Sequence, residues 1–175
     1  STWAVMADMG EAHTSHVLAP LRDGRVLVAG GNADPFTTIY PLHQVEILDP
    51  AAAAGFGAWT DGPNMPTGLD AATAVDFGGA NPADLADGGR NQMSYTVLPD
   101  GRVLVAGGLS TDSFNTFFNI RASCVIFDPV SDVWIVANPM GTQRAFHYAA
   151  VPAGGGLFVT LGIDGSFSRD ADTEI

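Results

Sequence analysis

The apolar residues of this chain fall in short runs closed off by Asp, Gly and Pro, and two of those runs are identical. Asp-Gly-Arg-Val-Leu-Val-Ala-Gly-Gly occurs at Asp23 to Gly31 and again at Asp100 to Gly108, and a degenerate copy, Gly154 to Gly162, aligns with them without gaps. Val-Leu-Val-Ala has no polar alternation, which predicts a strand buried on both faces, as in a sheet sandwiched between neighbouring sheets. A second apolar segment precedes each copy: Val17-Leu18, Tyr95 to Leu98, and Tyr148 to Val151. In the two identical copies the segments meet across a two-residue Asp-Gly, the strongest short hairpin signal.

The register extends beyond these runs. His13, Arg90 and Arg144 stand ten positions before the first residue of each copy, and His16, Met93 and His147 stand seven before it. Downstream, Val45 to Pro50 matches Cys124 to Pro129, and Thr173-Glu174-Ile175 begins a third such segment. Trp precedes Met by six positions at Trp3 and Met9, Trp59 and Met65, and Trp134 and Met140, while an excess of 21 residues separates Met65 from Arg90. Without that insertion the period is about 55 residues, the length of a propeller blade. Each repeat reads as four strands: a, the repeated strand b, a strand c ending at Asp-Pro, and a strand d carrying Trp.

The Arg-x-x-His before strand a, the Asp-Gly turn, the Gly-Gly pair, the Asp-Pro turn and the spaced Trp resemble the Kelch repeat. Membership would imply an all-β, Kelch-type β-propeller with three four-stranded blades per chain, strand d of one being supplied by the N-terminus. The units span about 10–66, 67–140 with an insertion at 67–89, and 141–175 together with 1–9. The sequence departs from the pattern at His13 for Arg, at Met93 for His, and at Thr160-Leu161-Gly162 in the third copy. Propellers close with about four to eight blades, so three predict a partner. Either a second copy makes a six-bladed ring, each N-terminal strand d completing the partner's last blade, or another chain supplies the missing blades.

Composition narrows the partners. Seven Lys and Arg face 19 Asp and Glu, for a formal charge of −12. Such a chain repels nucleic acid and anionic membrane surfaces. All the bases are Arg, and Asp outnumbers Glu, a bias toward turns over helices. The lone Cys124 cannot form an intramolecular disulfide. No apolar run reaches the ~18 residues of a membrane span, and Ser1-Thr2-Trp3 has neither an initiator Met nor a charged leader. A soluble chain is expected, natural, processed or excised, with compartment open and a lean toward secretion.

Connectivity puts the b–c and d–a loops on one face, where the longer segments Asn32 to Gln44, Leu109 to Arg121 and Thr67 to Gly89 lie. Loops on rigid scaffolds carry function, so this is the candidate ligand face. Phe36, Tyr40, Phe114, Phe117 and Phe118 offer aromatic surface there for a sugar or a protein, or for burial against the next blade. His13, His16, Arg90, Arg144 and His147 stand at the starts of the innermost strands, near the channel mouth. Converging imidazoles could hold copper or zinc, whereas a repeated Arg-x-x-His could equally brace loop carbonyls. Asp70, Asp76, Asp84 and Asp87 in the insertion could ligate calcium, although their spacing matches no EF-hand loop.

These residues favour a non-catalytic recognition or scaffold protein, without cofactor, that binds a protein or glycan. The alternative is a fragment or subunit of a copper-dependent carbohydrate or alcohol oxidase, because copper radical oxidases resembling galactose oxidase use Kelch-type propellers. Cys124, Tyr95, Tyr148 and His147 supply the residue types that resemblance implies, but Cys124 falls in the middle of apolar strand c.

Overall fold

The repeated strand b forms the centre of each sheet. A computed structural model describes residues 5–34, 38–66, 89–111, 118–152, 155–166 and 168–174. In chain order its strands begin with β1 (Val17–Pro20), β2 (Val26–Ala29), β3 (Asn32–Asp34), β4 (Thr38–Pro41), β5 (Val45–Asp49) and β6 (Ala58–Asp61). There follow β7 (Ser94–Val97), β8 (Val103–Ala106), β9 (Leu109–Thr111), β10 (Phe118–Ile120), β11 (Cys124–Asp128) and β12 (Val133–Ala137). The last are β13 (Tyr148–Ala150), β14 (Phe158–Thr160) and β15 (Thr173–Glu174). Among the described residues the only helical element is a short 3₁₀ turn, Ala53–Gly55, and no helix is long and apolar enough to cross a membrane.

Sheet I has the order β1-β2-β5-β6, sheet II the order β7-β8-β11-β12 read from its inner edge, and sheet III the three strands β13-β14-β15, all antiparallel. The innermost strands β1, β7 and β13 run side by side, the radial arrangement of a propeller. Residues 5–9 form no strand, and Trp3 lies outside the described residues.

In sheets I and II strand b is buried, as its unbroken apolar run requires. Val17, Ala19, Leu27, Ala29, Val45 and Ile47 of sheet I pack against Val103, Val105, Val125 and Phe127 of sheet II. Leu104, Ala106 and Cys124 on the opposite face of sheet II pack toward Met140 and Leu157. Sheet II therefore has one face toward sheet I and one toward sheet III.

Two expectations are corrected. The Asp-Gly hairpin is not a two-residue turn: the Gly24 N–H donates to Leu21 O at 3.1 Å and the Leu21 N–H to Arg25 O at 2.8 Å. Arg22 and Asp23 occupy the turn, and Gly24 takes the left-handed position after it at φ 92°, the three-residue hairpin with a glycine bulge. Asp23 Oδ1 accepts the Arg25 N–H at 3.0 Å and Oδ2 its Nε–H at 2.7 Å, and Asp100 holds Arg102 in the same way, so Asp locks the turn. The b–c segments are likewise more than loops. Each folds into a two-stranded ribbon, β3 with β4 and β9 with β10, and β4 lies against β9.

Candidate functional site

The Arg and His positions brace the scaffold. The His13, Arg90 and Arg144 side chains each reach the carbonyl that follows strand b of the same sheet. His13 Nδ1 lies 2.7 Å from Gly30 O, Arg90 Nη1 donates to Gly107 O at 3.2 Å, and Arg144 Nη1 donates to Leu161 O at 3.3 Å. Their remaining partners follow from the residue in strand c. Glu46 accepts the Gly10 and Glu11 N–H groups at 2.6 and 3.2 Å and faces His13 Nε2 at 3.3 Å. Glu174 repeats this in sheet III, accepting the Gly141 and Thr142 N–H groups and the Arg144 guanidinium. Sheet II has Val125 in that place, and Arg90 turns instead to Ser123, donating to its carbonyl and hydroxyl at 3.1 and 2.9 Å.

Arg144 is fully buried, with Asp170 at 2.6 Å and Glu174 at 3.1 Å. Burial alone would push the Glu174 carboxyl up, but the Gly141 N–H, the Arg144 guanidinium and the Thr142 N–H together hold it below its usual range.

His147 is buried too, its Nε2 2.7 Å from Ser94 Oγ of sheet II. Burial first, and then the Arg144 charge, pull its pKa down to about 4, against the opposing pull of Glu174. His16 is lowered in the same sense, by burial and then by His13. A histidine neutral in the fold but titrating near 6.5 when unfolded gives stability that is complete above pH 6.5 and lost as pH falls toward 4. The free energy of urea unfolding should therefore drop by about 1.4 kcal/mol per pH unit in that window on account of His147. His147→Asn should flatten the drop; an unchanged slope would contradict the assignment.

Between these braces lies a feature that no residue motif announces. Ser15, Gln92 and Phe146, equivalent in the three repeats, all take left-handed backbones, with φ of 54°, 51° and 56°. They form a ladder across the sheets: the Gln92 N–H donates to Ser15 O at 3.4 Å and the Phe146 N–H to Gln92 O at 2.9 Å. The Gln92 amide also donates to Ser15 Oγ at 2.8 Å. The backbone bridge between Thr14 and Asn32 puts this ladder at the same end of the sheets as the b–c ribbons. Ser15 and Phe146 are exposed there. Non-glycine residues held in sparsely populated backbone regions by their surroundings cluster at ligand sites.

Of the aromatic candidates, Phe36, Phe114 and Phe117 lie outside the described residues, and so do the side chains of Tyr40 and Phe118, whose backbones belong to β4 and β10. Asp70, Asp76, Asp84 and Asp87 also lie outside them. Among the described residues no group of three or more His, Cys, Asp and Glu side chains converges.

No family model matches the chain, and no curated protein matches it. Solved structures do. The chain is similar to YjhT, with a TM-score of 0.64 at 18% identity, over 93% of this chain and 38% of that one. It is also similar to a fungal alcohol oxidase with catalytic diversity among the AA5 family, in complex with copper, with a TM-score of 0.62 at 15% identity, over 90% of this chain and 30% of that one. The fold is thus an all-β, propeller-like scaffold. The chain spans under two fifths of the length of either structure.

The oxidase alternative implies a radical copper centre, and among the described residues His147 and Cys124 are not brought together as donors for one. His147 has its Nε2 beside Ser94 and its Nδ1 buried without a hydrogen-bond partner among the described residues. The axial position before it is Phe146, which carries no donor atom. The Cys124 thiol is buried in β11 toward Ala122 O at 3.7 Å.

Proposed function

We propose that the chain is a Kelch-type propeller segment that recognises a protein or glycan without catalysis, through the face formed by its b–c ribbons, d–a connections and axial ladder. One observation carries the reading. Ser15, Gln92 and Phe146 stand side by side at the entrance of the inner strands, while the buried Arg and His positions around them are occupied in holding carbonyls. A hydroxyl, an amide and an exposed aromatic ring form a set suited to a sugar, which presents hydroxyls at its rim and C–H groups on its face.

A panel of immobilised glycans tests this. Binding is expected, and Phe146→Ala should weaken it about tenfold, the usual effect of losing one aromatic anchor. A chain that binds no glycan and no protein through this face would contradict the reading. Hydrogen peroxide released from alcohols or aldehydes after adding copper would favour the oxidase instead.

A further inference from the structure

Sheet III leaves open the face that sheets I and II bury. In the shared register, Phe158 stands where sheet I has Leu27 and sheet II has Leu104; those two are 0% and 6% exposed, and Phe158 is 40% exposed. Tyr148, in the place of Val17 and Ser94, is 71% exposed against 0% and 6%. With Ala150, Val151 and Pro152 these rings line an apolar groove of about 440 Å³. Contiguous apolar surface of this kind marks an interface.

We propose that this face docks against sheet I of a second copy of the chain, so that two three-sheet halves close one ring through two identical seams. Volume argues for that occupant. Sheet III is enlarged on its open face, with Tyr148, Phe158 and Leu161 in the places of Val17, Leu27 and Gly30. Sheet I carries smaller apolar side chains on the side that would receive it, with Leu18 and Leu48 where sheet II has Tyr95 and Phe127, and Glu46, held by the Gly10 and Glu11 N–H groups, where it has Val125. The large apolar side chains of one face match the smaller ones of the other.

Charge gives the same answer. Between sheets I and II, Arg25 crosses to the c–d turn, donating to Pro129 O at 2.7 Å and pairing with Asp132 at 3.2 Å. In sheet III the Arg25 position is Gly156, and in sheet I the Asp132 position is Ala53, with the same left-handed backbone, φ 48° against 50°. Both members of the pair are missing from the proposed seam, so neither is left there without the other. The chain also holds the entry to that seam. Trp134 Nε1 donates to Pro63 O, just beyond the outer strand of sheet I, at 2.7 Å, and Trp59 Nε1 donates to Ala7 O at 2.9 Å. Residues near Ala7 thus sit where the outer strand of a preceding sheet would end, beside which the partner's β15 would lie.

Sedimentation of the full chain tests the proposal. Wild type should run at twice its 18.1 kDa chain mass, more completely at high salt, which screens the −12 charge on each copy. Phe158→Asp and Leu18→Asp should each run at the single-chain mass with wild-type circular dichroism. An equimolar mixture of the two should regain the doubled mass, because one of its two seams carries no substitution. A wild-type monomer overturns the proposal and points to blades from a longer or a different chain. An open ladder of larger species, or variants that remain dimeric, also overturns it, and the wild-type mass decides even if a variant fails to fold.

Discussion

Replacing Arg144 with alanine is expected to destabilise the chain by about 3–5 kcal/mol, the range for breaking a buried ion pair from one side. The guanidinium is 0% exposed and is held between Asp170, 7% exposed, and Glu174. Removing it leaves the Asp170 carboxylate buried without its cation, frees Leu161 O, and loosens the clamp that Glu174 places on the Gly141 and Thr142 N–H groups. Arg144→Lys keeps the charge but cannot satisfy the carbonyl and two carboxylates as a fork does, so an intermediate loss is expected. Urea unfolding at neutral pH checks both; a loss below about 1 kcal/mol for alanine would mean that the pair is not desolvated as described.

Gly108→Val should cost about as much, through packing. Gly108 has φ 106°, where a β-branched residue is strained, and any Cβ there would stand 2.7 Å from Asn91 O and 3.1 Å from the Met93 Cβ. Both neighbours belong to the entry of β7, whose backbone is fixed by the bridge between Asn91 and Leu109. Strain and overpacking together suggest a loss of roughly 3 kcal/mol or more. Gly155→Ala is the control, since its φ is also positive but nothing lies within 4 Å of its Cβ position; it should lose only the backbone term. Equal losses for the two variants would show that packing between β7 and β8 does not set the requirement for glycine.

Most of the scaffold was legible because it repeats. Strand b, the Asp-Pro turns and the start of a third strand c follow from residues recurring in register, and the burial of both faces of strand b follows from Val-Leu-Val-Ala alone. The ribbons β3–β4 and β9–β10 were hidden although both segments carry Asp-x-Phe-x-Thr, at Asp34 to Thr38 and Asp112 to Thr116, because strands of three or four residues are too short to show a period-two pattern. The axial ladder was hidden for a different reason: Ser, Gln and Phe have no chemistry in common, and a left-handed backbone is imposed there by the braces on either side. The signal was present all the same, as a fixed place between the Arg or His and the His or Met of each repeat. The glutamate clamp was also readable in principle. Glu46 and Glu174 occur in the copies that keep Met-Gly shortly before the Arg or His, and Val125 replaces them in the copy where the insertion separates Met65 from Arg90.

Consecutive sheets are joined by the same backbone bonds at each step. The Gly31 N–H donates to Arg90 O, and the Gly108 N–H to Arg144 O, each at 2.8 Å. Residue-resolved amide hydrogen exchange measures this directly. Gly31 and Gly108 should exchange at the rate of the strand amides of β2 and β8, opening only with the sheets themselves. Exchange of these two amides at the rate of exposed turns, while β2 and β8 stay protected, would contradict the account.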